Sequence, residues 1–255
     1  MRILILGGTT EASTIARTIA QDPRFTATVS LAGRTAKPAP IPDMALRVGG
    51  FGGAEGLARW LAKEKIAAVI DATHPYAAQI SRNTDTACAS IGVPLCTVIR
   101  PPWQPAAGDR WQTVPSTEAA ADALGTEPRR VFLSIGKQGV GAFRRAPQHS
   151  YVIRSIEPPE DNTLPPDTTL IRMRGPFALQ DEIELLKSQR IGLIVSKNAG
   201  GSATYAKLEA ARHLALPVVM IERPHKAGRN IVVTAEDALA WLADLHAMSR
   251  SDRGV

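Results

Sequence analysis

The sequence predicts an α/β protein of two similar Rossmann-like domains, each a mainly parallel sheet flanked by helices, facing each other across a cleft. Three observations carry this reading. Short, continuously apolar segments alternate with helix-length segments, the pattern of strands buried on both faces of a parallel sheet. The first apolar run, residues 3–6, enters Gly7-Gly8-Thr9-Thr10 and then a helix, the layout of a phosphate-binding strand–turn–helix unit. The same pattern restarts about half-way along the 255 residues.

The elements follow in order. A helix over 11–20 follows the first turn, whose glycines permit a sharp bend and close ligand approach. A strand over 25–31 ends in Ala32-Gly33-Arg34-Thr35. In a dinucleotide fold an acid at that place binds the 2′-hydroxyl of NAD, whereas an arginine accommodates the 2′-phosphate of NADP. Here Arg34 and Thr35 stand where the acid would be. A proline-rich loop leads to a strand over 44–48, then Gly49-Gly50-Phe51-Gly52-Gly53 and a helix over 54–63. That loop belongs on the same sheet edge as Gly7 and Gly8. The strand over 66–70 ends in Asp71-Ala72-Thr73-His74-Pro75-Tyr76, with Pro75 setting the start of a helix over 77–90. A strand over 93–99 closes on Arg100-Pro101.

After a short strand (111–114) and a helix (116–124), which could pack on either half, the pattern restarts. A strand over 130–135 runs into Gly136-Lys137-Gln138-Gly139. Strands over 151–156 and 168–173 follow, then a helix opening at Gly175-Pro176. The strand over 191–195 ends in Ser196-Lys197-Asn198-Ala199-Gly200-Gly201-Ser202 and a helix over 203–213. A strand over 217–221, a short strand over 231–233 and a helix over 235–246 complete the chain. Residues 66–101 and 191–224 superimpose at an offset of 125: strand, loop, alanine-rich helix, strand and Arg-Pro. The short strand and acid-led helix after each Arg-Pro keep nearly the same offset. These observations give an N-terminal domain of 1–125, a C-terminal domain of 126–248 and a flexible tail of 249–255.

Composition narrows the function. Thirty Lys+Arg against 24 Asp+Glu give a net charge of +6, which suits an acidic partner. The basic residues are scattered, with no basic helix, aromatic–basic interleaving or finger motif, so nucleic acid is not expected. No apolar run approaches the ~20 residues of a membrane span, and the start of the chain lacks the layout of a signal peptide. Two cysteines, Cys88 and Cys96, have no metal-ligand spacing and read as reduced, buried thiols. A cytoplasmic protein without a metal site, a monomer or weak homo-oligomer, is expected.

Four motifs, in order, resemble the precorrin-6A reductase family of cobalamin biosynthesis. They are Leu6-Gly7-Gly8-Thr9-Thr10-Glu11-Ala12, Asp71-Ala72-Thr73-His74-Pro75-Tyr76-Ala77, 196–207 from Ser196 to Lys207, and 216–224 ending in Glu222-Arg223-Pro224. The resemblance implies NADPH-dependent reduction of one carbon–carbon double bond of a corrin-ring precursor, metal-free in some members and cobalt-bearing in others. Such an anionic tetrapyrrole suits a basic chain.

Together these readings place NADPH on Gly7, Gly8, Thr9, Thr10, Glu11, Arg34, Thr35, Gly49, Gly50, Phe51, Gly52, Asp71, Ala72 and Thr73. The tetrapyrrole is expected against His74, Pro75, Tyr76, Gly136, Lys137, Arg172, Ser196, Lys197, Asn198, Gly200, Gly201, Ser202, Tyr205 and Arg223. Lys137, Arg172, Lys197 and Arg223 are the candidate carboxylate clamps. His74, Tyr76 and Tyr205 are the candidate proton donors for a direct hydride transfer. Two other classes fit two facing α/β domains: a nucleotide-sugar transferase, and a non-catalytic sensor that binds NADPH.

Overall fold

The structure, a computed structural model, describes residues 1–33 and 44–251. It has twelve strands and seven α-helices among the described residues. In chain order they are β1 (Arg2–Leu6), α1 (Thr10–Ala20), β2 (Thr26–Leu31), β3 (Ala45–Val48), α2 (Gly53–Lys63), β4 (Ala68–Asp71), α3 (Ala78–Ile91), β5 (Leu95–Val98), β6 (Arg110–Val114) and α4 (Thr117–Asp122). The second half holds β7 (Arg130–Ser134), β8 (Ser150–Ser155), β9 (Thr168–Arg172), α5 (Leu179–Ser188), β10 (Leu193–Lys197), α6 (Ala206–His213), β11 (Pro217–Ile221), β12 (Ile231–Val232) and α7 (Ala235–Ser251).

The strands form two six-stranded sheets, ordered β12-β5-β4-β1-β2-β3 and β6-β11-β10-β7-β8-β9. Neighbouring strands in both are parallel. Read from the far edge, the first sheet has the 3-2-1-4-5-6 order of a doubly wound dinucleotide-binding domain. The second repeats it with β9-β8-β7-β10-β11 in the first five places and β6 in the sixth.

The sixth places correct the domain boundary expected at 125. β6 follows β5 in sequence yet pairs with β11, and β12 follows β11 yet pairs with β5. The two compact units are therefore residues 1–101 with 224–255, and residues 102–223. The cause is edge pairing and packing. Ala235, Ala238 and Leu242 of α7 bury themselves in the same core as Ile3, Ile5, Ile15 and Ile19. Burying Leu242 alone contributes about 2 kcal/mol. α4 instead packs on β6 and β11 and on the 3-10 helix Lys137–Arg145.

In the first unit, pleating sends Ile3 and Ile5 of β1 toward α1 and α7, and Leu4 and Leu6 toward α2 and α3. This is why the run is continuously apolar. α1 buries Ala12, Ile15, Ala16 and Ile19, an i, i+3, i+4, i+7 stripe, and Thr9 caps it by accepting from the Ala12 N–H. In the second unit, Phe132, Val152, Ile194 and Met220 meet Leu186 of α5 and Leu208 and Ala211 of α6.

Three further expectations are corrected. α5 and α6 begin at Leu179 and Ala206 rather than at 176 and 203, because residues 173–178 run as irregular backbone with a bend at Gly175 and residues 203–205 form a turn. The expected tail at 249–255 is helical as far as Ser251, continuing the α7 backbone ladder; residues 252–255 lie outside the described part.

The return to the first sheet passes tightly over β5. A Cβ on Gly228 would lie 2.5 Å from Thr97 Oγ1 and 2.6 Å from Thr97 Cβ, and Thr97 is fully buried. Gly228→Ala is therefore expected to cost about 1–3 kcal/mol through overpacking, read as a lower urea midpoint. An unchanged midpoint would show that the returning segment yields freely.

Candidate functional site

Parallel pairing places the loops after β1, β4, β7 and β10 at the carboxyl edges of the two sheets. In such sheets the crevice where strand order reverses is the ligand-binding position. The reversals fall between β1 and β4 in the first unit, and between β7 and β10 in the second.

In the first unit Thr9 joins the two loops at the reversal. Its hydroxyl donates to the Ala72 carbonyl at 2.7 Å while accepting from the Ala12 N–H at 3.2 Å. Gly8 adopts φ +115°, and among the described residues a Cβ there would meet nothing within 4 Å, so its backbone is bare on that side. Gly7 is tighter: a Cβ would come within 3.1 Å of Leu31. A cavity of ≈ 10 Å³ lies between Thr9, Glu11, Ala72, Thr73, Pro75, Val98 and Arg100, room for about one water. Arg100 Nη1 holds both Glu11 carboxylate oxygens, at 3.1 and 2.9 Å. Burial pushes the Glu11 carboxyl up, but backbone donors, Arg100 and Thr9 together hold it below its ordinary value.

Asp71 and Thr73 work from beneath. Asp71 is 1% exposed, and its Oδ1 accepts from the Thr73 N–H (3.0 Å) and hydroxyl (2.6 Å). Lys226, itself buried, pairs with the same Oδ1 at 3.3 Å and donates to the Thr73 carbonyl at 3.0 Å. Asp71 Oδ2 is buried and has no hydrogen-bond partner among the described residues. Burial lowers the Lys226 ammonium, opposed by Asp71. His74 Nδ1 accepts from the Tyr76 N–H at 3.3 Å, and the two rings lie 5.6 Å apart.

The glycine loop after β3 is held by a residue that the sequence did not single out. Arg47 donates to the carbonyls of Gly49 (2.6 Å) and Gly50 (2.7 Å) and stacks 3.7 Å over the Phe51 ring. Gly49 and Gly52 take positive φ, and a Cβ on Gly49, Gly50 or Gly52 would meet nothing within 4 Å. Arg34 and Thr35 lie outside the described residues.

In the second unit the loop after β10 is braced by Trp103, also missed. The Asn198 side chain accepts from the Trp103 N–H (2.8 Å) and donates to its carbonyl (3.0 Å). The indole Nε1 donates to the Gly201 carbonyl at 2.9 Å, and Arg223 Nε to the Asn198 carbonyl at 2.7 Å. A cavity of ≈ 410 Å³ opens beside this brace. Trp103, Phe177, Gly201, Ser202, Tyr205 and Glu209 line it, with Leu179 and Ala206. Gly201, Ser202 and Tyr205 were thus expected in the site and share one cavity. Gly136, Lys137 and Arg172 do not line it; Lys137 and Arg172 are exposed, Arg172 at the end of the edge strand β9. The Tyr205 hydroxyl accepts from Arg212 at 3.0 Å, and Arg212 in turn pairs with buried Asp109. Beneath the loop, Arg154 and Glu182 form a buried ion pair, with the guanidinium 3.8 Å over Phe177.

Two sheets in Rossmann order, each with a glycine-bearing loop at its reversal, define a two-domain protein of the Rossmann class. The chain belongs to the precorrin-6x reductase CbiJ/CobK family, whose model matches residues 2–243. The precorrin-6A reductase of Rhodobacter capsulatus is 51% identical over 249 residues, covering 98% of both chains. That of Rhodococcus erythropolis is 45% identical over 246 residues, 96% of this chain and 98% of the relative. A solved structure described as CobK precorrin-6A reductase superimposes with a TM-score of 0.90 at 51% identity, covering 96% of this chain and 97% of its own.

Lys226→Met would leave the Asp71 carboxylate buried without its cation. The expected cost is about 3–5 kcal/mol, measured by denaturant unfolding. Adding Asp71→Asn should recover a large part of it in a double-mutant cycle. Strict additivity of the two substitutions would mean that the pair does not act as a unit.

Proposed function

We propose that this chain catalyses the NADPH-dependent reduction of one C=C bond of metal-free precorrin-6A, giving the dihydro product precorrin-6B in cobalamin biosynthesis. The observation that carries this reading is 51% identity across 98% of a precorrin-6A reductase. The loops of the first sheet fit the cofactor, since among the described residues a Cβ on Gly8, Gly49, Gly50 or Gly52 would meet nothing within 4 Å, which leaves their backbone open to a ligand. NADPH, when bound, supplies the hydride for the double bond.

The chain's own residues bind and orient. Gly7, Gly8, Thr9 and Thr10 offer the phosphates a turn and a helix start. Ala72, Thr73 and the 49–52 loop lie on the same carboxyl edge, and Asp71, Arg47 and the Glu11–Arg100 pair fix their shape. Arg34 and Thr35 take the 2′-phosphate. In the second unit the cavity beside Trp103 and Tyr205 receives part of the macrocycle, and Lys137, Arg172, Lys197 and Arg223 clamp its carboxylates as charge-assisted hydrogen-bond donors. The proton for the adjacent carbon comes from His74, Tyr76 or Tyr205. The Tyr205 hydroxyl accepts from Arg212 and so keeps its own hydrogen to donate.

Anaerobic mixing with NADPH and precorrin-6A is expected to consume nicotinamide absorbance and shift the macrocycle spectrum to the blue. A folded protein that changes neither spectrum refutes the activity. Arg34→Ala removes one or two charge-assisted bonds of about 1.5–3 kcal/mol. It should raise KM for NADPH roughly 10- to 100-fold and leave that for NADH nearly unchanged. Equal losses for the two cofactors would remove the 2′-phosphate role.

A further inference from the structure

Lys207 is a cation in the core without a counter-ion. It is 2% exposed, and among the described residues no carboxylate forms an ion pair with it. Its ammonium donates to the Thr204 carbonyl at 2.6 Å and lies 4.6 Å from the centroid of the Trp103 ring. The buried charges that act on it are Arg154 on β8, which disfavours the ammonium, and Glu182 on α5, which favours it; the two pair with each other. Packing alone does not call for a cation here, because a buried charge is costly and a leucine or methionine would fill the space.

What the ammonium touches is informative. Thr204 lies between Ser202 and Tyr205, two walls of the ≈ 410 Å³ cavity, and Trp103 is a third. Trp103 also bonds to the Gly201 carbonyl through its indole and to Asn198 through its backbone. One cation thus grips the loop after β10 at both ends, directly at Thr204 and through the indole at Gly201.

We propose that Lys207 is a positioning residue for substrate binding, acting with Trp103 to hold the Gly201–Tyr205 wall of the second-unit cavity in its binding shape. The proposal rests on the functional reading above for the identity of the substrate. Lys207 itself does not line the cavity, so it acts through Thr204 and Trp103 and not by touching the ligand. Burial lowers its ammonium to about 7, with Arg154 adding to the effect and Glu182 opposing it. As pH rises through that value the ammonium becomes an amine. The cation–π contact is lost and the bond to Thr204 weakens, so the wall loosens and substrate binding declines.

The test combines two readouts on the full-length protein. In the first, tryptophan emission of the free protein is followed from about pH 6 to pH 9, a range spanning the titration of a lysine displaced to neutrality. The wild type should show a transition near neutral pH that is absent in both Lys207→Met and Trp103→Phe. Should Lys207→Met fail to fold, Trp103→Phe alone decides. A transition that persists in the folded variants overturns the proposal, as does its absence from the wild type.

In the second, steady-state rates are measured with NADPH and precorrin-6A. Lys207→Met should raise KM for precorrin-6A about tenfold, a loss of about 1.4 kcal/mol, with kcat changed less than about threefold. It should also abolish the rise of KM with pH expected of the wild type. A wild-type KM at every pH, or a fall in kcat at constant KM, overturns it. A wild type that does not reduce precorrin-6A refutes the proposed function, while the emission titration still judges the lysine–tryptophan unit.

Discussion

An open edge of a parallel sheet is a row of unpaired backbone groups, and this chain closes both of its fifth strands by exchanging the sixth. The outer edge of β5 is closed by residues 229–232: the Thr97 N–H donates to the Arg229 carbonyl at 3.1 Å and the Ile99 N–H to the Val232 carbonyl at 2.8 Å. β11 receives the reciprocal service from β6, with Pro217–Ile221 in register with Arg110–Val114. Unsatisfied backbone groups on a buried edge cost as much as lost hydrogen bonds, so each unit depends on a strand from across the chain order. The two dependences differ. Residues 102–223 contain every strand of their sheet in one contiguous stretch. Residues 1–101 lack their sixth strand and the α7 face of their core until the last 30 or so residues arrive, and contacts of such long sequence separation form late.

The same parallel pairing decides where chemistry can occur. Because neighbouring strands share a direction, all the loops that follow them emerge on one edge, and the reversal of order beside β1 and β7 leaves a crevice there. At the first reversal this chain places glycines with open space at Cβ. At the second it places an aromatic-walled cavity. Under the proposed function the first edge would receive phosphates and the second a conjugated ring. Phosphates are bound by backbone N–H groups, which need nothing but a bare turn. A ring needs apolar walls, and Trp103, Phe177 and Tyr205 supply them.

The strand–loop–helix rhythm was legible in the sequence because burial on both faces forces unbroken apolar runs at β1, β4 and β10, and the glycine turns mark their carboxyl ends. The repeat offset of 125 correctly paired β6–α4 with β12–α7 as equivalent pieces. Which sheet each joins was not legible, for the same reason: equivalent pieces carry equivalent local signals, and only edge pairing and core packing distinguish the two destinations. Gly201, Ser202 and Tyr205, which the motif singled out, line one cavity. Trp103 and Lys226 were missed because they satisfy carbonyls of loops far away in sequence, and Arg47 because it folds back on the carbonyls of its own loop; no spacing encodes either. Lys207 did carry a signal. It stands three and four residues before Ala210 and Ala211, on the stripe of α6 that a 3.6-residue period assigns to the core, where a lysine is out of place.

Lys207 and Lys226 show one solution to one problem. A loop that offers its outer backbone groups to a ligand still has carbonyls turned inward, and these must be satisfied from below without adding a bulky acceptor. A lysine suits this, with three donors, no acceptor and a thin stem. Lys226 serves the loop after β4 through the Thr73 carbonyl, and Lys207 the loop after β10 through the Thr204 carbonyl. They differ in compensation. Lys226 has Asp71 at 3.3 Å, so its charge belongs to a buried pair whose two members depend on each other. Among the described residues Lys207 has an indole face and a carbonyl but no ion-pair partner, and burial brings it close to neutrality against the pull of Glu182. The first arrangement spreads the hold on its loop over two mutually dependent groups, Asp71 and Lys226. The second, on the proposal made for Lys207, leaves the Thr204 carbonyl held by a group whose single proton alters the grip.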